Sequence, residues 1–247
     1  QTDTAFNQLR MDLAALDLYV VVGLPVSREG ELFNAASVLH RGEVIGTYYK
    51  HDLPNREVFD EQRYFTPDNR PLVFEVDGIR FGINICEDTW NRYAPEAAAA
   101  AGAEVLLVPN ASPYHMGKQS IRHSVVAQRV QETGMAIVYA NMLGGQDELV
   151  FDGASFAMDA KQRVALRLPQ FKENLAVLEA LTSPGEPTVL QAHQPCTPEL
   201  ELTAQVYEAL KMGVHDYVTK NRFPGAIIGL SGGVDSALTL AIAVDAL

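Results

Sequence analysis

The sequence predicts an α/β fold in which two mixed sheets lie between outer helices, a four-layer α-β-β-α sandwich, followed by the opening of a second unit. Short apolar runs closed by turn residues alternate with stretches of helical composition. Neighbouring runs are joined by turns too short for a crossover, so the sheets contain hairpins as well as parallel strands. After residue 181 the texture changes to Pro- and Gly-rich linker material, then to a fresh helix, strand, glycine loop and helix.

Residues 18–25 are an apolar run ended by turn residues and read as a buried strand. Residues 32–39 and 46–49 read as two strands joined at Arg41, Gly42 and Glu43. Residues 72–76 and 79–85 form the next pair, hinged at Asp77 and Gly78. Residues 93–102 are Ala-rich and helical, and residues 105–108 form a buried strand. Residues 119–133 make a helix with a polar face, stopped by Gly134. A strand at 136–139 follows, and residues 154–158 open another hairpin. The stretches from Thr182 to Pro187 and from His193 to Pro195 read as turn and linker, which divides the chain into 1–180, a linker at 181–196, and 197–247. Thr197, Pro198 and Glu199 read as a helix start, with Thr as N-cap, Pro at the first helical position and an acid in the first turn. That helix should reach about Asn221, and residues 226–230 should form a buried strand feeding the glycine loop.

The totals narrow the function classes. With 247 residues and 47% hydrophobic content the chain can bury a sizeable core. Nineteen Lys plus Arg against 31 Asp plus Glu leave a net charge of −12, which argues against non-specific nucleic-acid binding. No apolar run reaches the length of a membrane span, and Gln1 to Thr4 do not open a signal peptide. The two cysteines, Cys86 and Cys196, lie in dissimilar surroundings and read as thiols of a reducing, cytoplasmic compartment. Neither has the neighbours that a zinc site needs.

Gly229, Leu230, Ser231, Gly232, Gly233, Val234, Asp235 and Ser236 lie between a predicted strand and a predicted helix. Glycines let the backbone turn tightly and aim its amides at an anion, while the helix directs its positive end at the same spot. A phosphate cradle is the physical expectation, with Ser231 and Ser236 as added donors. No Lys follows the glycines, so the loop is not a Walker motif. It is similar to the SGGxDS signature of the ATP-pyrophosphatase group, whose nucleotide domain is Rossmann-like. That similarity implies ATP as substrate, with Asp235 directed at its magnesium.

Residues 81–90 form an apolar strand that ends in Cys86, Glu87 and Asp88. A nucleophile at a strand end is held rigidly and presented to a pocket. The common alternative is a buried packing cysteine, but such a residue has no use for two adjacent acids. To attack, the thiol needs a base and a cation nearby. Lys50, at the end of another predicted strand, is the candidate cation.

Lys50-His51-Asp52-Leu53-Pro54-Asn55, Val58-Phe59-Asp60-Glu61 and Ile85-Cys86-Glu87-Asp88-Thr89-Trp90 resemble the nitrilase, or carbon–nitrogen hydrolase, superfamily. Together with the SGGxDS loop they resemble the glutamine-dependent NAD+ synthetases. The resemblance implies a Glu–Lys–Cys triad in a nitrilase-type sandwich. In it Cys86 attacks the glutamine amide and Lys50 stabilises the oxyanion. Glu61 orients the lysine. The base glutamate is expected ahead of the strand at 18–25, and Glu29, Glu31 and Glu43 do not stand there, which puts it before Gln1. For the glutamine pocket the resemblance points to Ser112, Lys118 and Glu87. Arg56 stands where such synthetases often carry a tyrosine. The implied partners are glutamine, ATP with Mg2+, and deamido-NAD+, in a homo-oligomer. A stand-alone nitrilase-type amidase and an inactive assembly scaffold are the two other readings. The glycine loop speaks against the first of these.

Overall fold

The computed structural model describes residues 2–56, 58–183 and 185–247. Gln1 and Pro184, which belong to the start and the linker stretch discussed above, lie outside the described residues.

Three antiparallel strands form the smaller sheet: β1 (Tyr19–Arg28), β2 (Glu31–His40) and β3 (Glu43–Tyr49). Their connections carry two successive positive φ values, at Glu29–Gly30 (55°, 86°) and Arg41–Gly42 (49°, 78°). That is the twist a two-residue hairpin turn demands, and glycine meets it at the second position without strain. β4 (Val73–Val76) and β5 (Ile79–Ile83) close in the same way at Asp77–Gly78.

The larger sheet runs β11-β10-β7-β6-β5-β4, with β6 (Val105–Asn110), β7 (Ala136–Asn141), β10 (Phe156–Met158) and β11 (Val164–Arg167). Its centre is parallel from β5 through β6 to β7. Those crossovers contain α2 (Tyr93–Ala100) and α3 (Lys118–Thr133), and α3 ends at Gly134 in the left-handed conformation. Period-two alternation divides the strands between two interfaces. Leu106, Val108, Ile137 and Tyr139 meet Ala98 of α2 and Val126 and Val130 of α3. The opposite face places Ile83 and Ile85 against Ala36, Val38 and Tyr48 of the smaller sheet. Gly82 permits the close approach of α2 and the turn after it, because a Cβ there would come within 3.3 Å of Ala98 and 2.9 Å of Ala103.

The layers follow the expected α-β-β-α order, but the outer one on the smaller sheet is slight. It is α1 (Thr2–Leu13), which buries no residue. Arg10 ties it to the β2–β3 turn through Gly42 O at 2.8 Å. With so little cover, β1 is half-buried to exposed along its length, not the buried strand expected at 18–25.

Four further expectations are corrected. Residues 143–152, for which no element is expected above, hold a hairpin: β8 (Leu143–Gln146) and β9 (Leu149–Asp152). The linker stretch contains β13 (Val189–Ala192), paired with β12 (Leu178–Leu181) and packed on Val105, Ala136 and Leu166. The helix expected at Thr197 begins later, as α4 (Leu202–Lys220) with Glu201 as N-cap. Thr197 and Leu200 instead donate their N–H groups to Arg167 O and the Gln170 side chain, holding the segment extended. Residues 226–230 are not a strand and are not buried, Ile227 being wholly exposed. A parallel strand exists through its neighbours, and no described segment pairs with it. α5 (Val234–Ala246) follows and packs on α4, where His215 meets Ala246 O at 2.7 Å.

Candidate active site

Lys50 leaves the end of β3 and is 2% exposed. A buried ammonium requires a partner. It donates to Glu61 Oε1 at 2.7 Å, and the other Glu61 oxygen accepts from Asn34 Nδ2 at 3.2 Å. Its own backbone is pinned by Lys50 N–H to Asn34 O at 2.8 Å.

Cys86 begins the 3-10 turn Cys86–Trp90 and has φ +45°, a conformation that L residues adopt at a cost of about 1–3 kcal/mol. The turn swings the thiol out of the strand line into a cavity of about 420 Å3. Asn34, Lys50, Glu61, Cys86, Glu87 and Asn110 line that cavity, with Pro54, Phe59 and Met142 as apolar wall. Burial pushes the Cys86 thiol up from its ordinary range. The Lys50 charge and the Ala111 N–H, which donates to the sulfur, oppose that rise, while Glu87 and Glu61 add to it. A larger cavity of about 540 Å3 beside Leu143 and Lys172 contains neither the thiol nor the buried ammonium.

Cys86, Lys50, Glu61 and Glu87 therefore converge. Arg56 is exposed, pairs with Glu87 at 2.7 Å and does not line the cavity. Ser112 and Lys118 do not line the cavity. The Ser112 hydroxyl faces Arg122 Nε at 3.2 Å, and the Lys118 ammonium sits 4.4 Å from the centre of the Trp90 ring.

Two acids that the sequence reading did not place hold this site together. Asp88 is 0% exposed and accepts hydrogen bonds from Tyr48 OH and from the N–H groups of His51, Asp52 and Ile85. Burial pushes its carboxyl up to about 6, against the pull of those donors, so it is ionised at neutral pH. Asp152 pairs with the fully buried Arg122 at 2.8 Å, and Arg122 also donates to Ser112 O at 2.7 Å. The only signal for Asp88 was its place two residues after Cys86. Arg122 gave none, because a basic residue in a polar helix face reads as solvated.

The glycine loop is exposed. Ser231 and Ser236 hydroxyls meet at 3.0 Å, and the Ser231 hydroxyl also accepts from Gly233 N–H at 3.4 Å. α5 starts at Val234 with no side chain capping it, which leaves its first amides directed at the loop. Asp235 lies in its first turn. Among the described residues no three acids, histidines or cysteines gather as a metal cage. One carboxylate suits a magnesium that arrives on nucleotide phosphates.

The carbon–nitrogen hydrolase family profile matches residues 2–181, and the NAD synthase profile matches residues 206–247. The chain is 42% identical over 244 residues to a glutamine-dependent NAD(+) synthetase of Acinetobacter baylyi, covering 98% of this chain and 44% of that one. It thus spans less than half the length of that relative. The structure of glutamine-dependent NAD+ synthetase from Acinetobacter baumannii with ADP superposes at TM-score 0.91 and 41% identity, over 99% of this chain and 45% of that one. An amidase of Nesterenkonia sp. AN1, carrying an acrylamide adduct at its active-site cysteine, superposes at TM-score 0.62 and 28% identity, over 68% of this chain and 66% of its own. With the first profile covering most of its length and the sandwich shared with these structures, the chain belongs to the carbon–nitrogen hydrolase family.

Proposed function

We propose that residues 1–180 form the glutamine-hydrolysing site of a glutamine-dependent NAD+ synthetase, and that residues 197–247 open its ATP-binding part. The observation that carries this reading is the meeting of the Cys86 thiol and the buried Lys50 ammonium in one small cavity. The likeness to the two Acinetobacter synthetases and the NAD synthase match at 206–247 favour it over a stand-alone amidase.

In this mechanism Cys86 sulfur attacks the side-chain amide carbon of glutamine, and its proton passes to a glutamate base. Among the described residues the cavity carboxylates are Glu61 and Glu87, and they are paired with Lys50 and Arg56. We therefore assign the base to the glutamate that the resemblance places ahead of β1. Lys50 stabilises the tetrahedral oxyanion, with Glu61 and Asn34 fixing its ammonium. The base returns the proton to the amide nitrogen, the C–N bond breaks, and ammonia leaves. Water then cleaves the thioester, giving glutamate and the free thiol. Glu87, Ser112 and Lys118 contribute to holding glutamine, directly or through the loop at 110–118, and Arg56 sets the position of Glu87.

Ammonia then reacts with deamido-NAD+ activated by ATP, giving NAD+, AMP and pyrophosphate. The loop at 229–236 holds the nucleotide phosphates, and Asp235 meets the magnesium they carry. We place the enzyme in the cytoplasm as a homo-oligomer. No helix among the described residues is long and apolar enough to cross a membrane.

The test is Cys86→Ala in the full-length protein. Glutamine-driven NAD+ synthesis should vanish while synthesis from added ammonium persists. Retention of the first activity would refute the nucleophile, and loss of both would refute the two-site scheme. An inert scaffold would show neither activity in the unaltered protein.

A further inference from the structure

Lys50 and Cys86 follow strands of different sheets, β3 and β5. β3 pairs with β2 and β5 pairs with β4 and β6, so no ladder of hydrogen bonds sets one against the other. Apolar packing between the sheets brings them near, but such packing is non-directional. Asp88 supplies direction. Its Oδ1 accepts from His51 N–H at 3.0 Å and Asp52 N–H at 2.7 Å, the two residues that follow Lys50. Its Oδ2 accepts from Ile85 N–H at 2.8 Å, the residue before Cys86, and from Tyr48 OH at 2.9 Å, two residues before Lys50. Asn84 Nδ2 donates to the same tyrosine oxygen at 3.2 Å, which commits the hydroxyl proton to Asp88. Asp88 N–H closes back on Ile85 O at 3.1 Å, holding the strained turn at Cys86.

We propose that Asp88 is a positioning residue for glutamine hydrolysis: its carboxylate fastens the segment 48–52, which carries Lys50, to the turn 85–88, which carries Cys86. This rests on the glutaminase reading above.

The chemistry of the donor set explains why the residue is an aspartate. Four donors converge on two oxygens inside a region closed to water. An amide offers one acceptor oxygen, and its NH2 would face two donors, leaving buried N–H groups without partners. A glutamate would displace the oxygens by a methylene.

The experiment compares Asp88→Asn, Tyr48→Phe and Cys86→Ala in the full-length protein. It measures kcat and KM for glutamine, the rate with ammonium, and the rate at which iodoacetamide alkylates Cys86. Asp88→Asn should lower kcat for glutamine by about 100-fold, the effect of a misplacement near 1 Å, with KM changed much less. Ammonium-driven synthesis should be unchanged and Cys86 alkylation altered. Tyr48→Phe removes one of four donors and should lower kcat by about 3- to 10-fold at an unchanged ammonium rate. The proposal is overturned if Asp88→Asn keeps kcat within about 3-fold of the unaltered protein. It is also overturned if the glutamine and ammonium rates fall together. Should Asp88→Asn not fold, an unchanged kcat in Tyr48→Phe overturns it alone. Full glutamine-driven activity in Cys86→Ala sinks the glutaminase reading instead, whatever Asp88 does.

Discussion

Lys50 shows how burial turns an ordinary residue into a reagent. Its ammonium has lost water and gained Glu61 at 2.7 Å, so its position is set before any substrate enters. Preorganised charge of this kind stabilises an oxyanion without reorganisation during the reaction. Lys50→Ala should therefore lower glutamine hydrolysis by about 100- to 1,000-fold, as loss of an oxyanion donor does, and leave the ammonium-driven rate unaltered. A glutaminase rate near that of the unaltered protein would remove Lys50 from the mechanism. The same residue governs the thiol. Burial raises the Cys86 pKa and Lys50 lowers it, so thiolate is scarce at neutral pH and grows as pH rises. Iodoacetamide alkylation of Cys86 should climb from pH 7 to 9 without a plateau. In Lys50→Ala the opposing charge is gone, the pKa moves further up, and alkylation should slow at each of those pH values. A plateau near pH 7 would contradict the sign.

At the scale of elements, the glycine turns and the alternating strands were legible because both are local. Arg41–Gly42 and Asp77–Gly78 report their turn geometry in two residues, and β2, β3, β6, β7 and α3 follow from periodicity. The helix start was misread for a reason equally physical. Thr197 and Pro198 satisfy the composition of a cap, but hydrogen bonds to Arg167 and Gln170 hold that segment extended. β8 and β9 were hidden because a short run with two glycines resembles a loop, and it becomes a hairpin only against α4. The loop between β6 and α3 depends on an ion pair. Arg122 and Asp152 are 1% and 0% exposed, and Arg122 holds Ser112 and Pro113 through their carbonyls. Asp152→Ala would leave the guanidinium uncompensated and should cost about 3–5 kcal/mol of stability, read by urea denaturation. A loss below about 1 kcal/mol would show that the pair is solvated.

For the whole molecule, two α4 side chains grip the backbone of Gly145 at the junction with the sandwich. Asp216 accepts from Gly145 N–H at 2.6 Å, and Lys220 donates to Gly145 O at 2.5 Å. A Cβ on Gly145 would meet Gly213 Cα and Met212 O at 3.3 Å and Asp216 Cβ at 3.1 Å. Gly145→Val should force the helix away, lowering stability by about 1–3 kcal/mol, and should quicken proteolysis between residues 193 and 201. Unchanged cleavage would mean that α4 is held by other contacts. Of the candidate site, Cys86, Lys50, Glu61 and Glu87 were legible through short motifs. The Asp88 and Arg122 networks were not, because each joins segments 30 or more residues apart.

The sequence by itself determined the α/β class, most strands and helices of the sandwich, the family resemblance, and Lys50, Glu61, Cys86 and Glu87 among the residues lining the cavity. Those properties are written in local periodicity, turn residues and contiguous motifs. Tertiary structure alone decided that Ser112 and Lys118 stand back from the cavity, that Asp88 joins two sheets, and that residues 226–230 remain unpaired. Each of these depends on which distant groups satisfy a buried charge or an open backbone hydrogen bond, and a linear sequence does not state its partners.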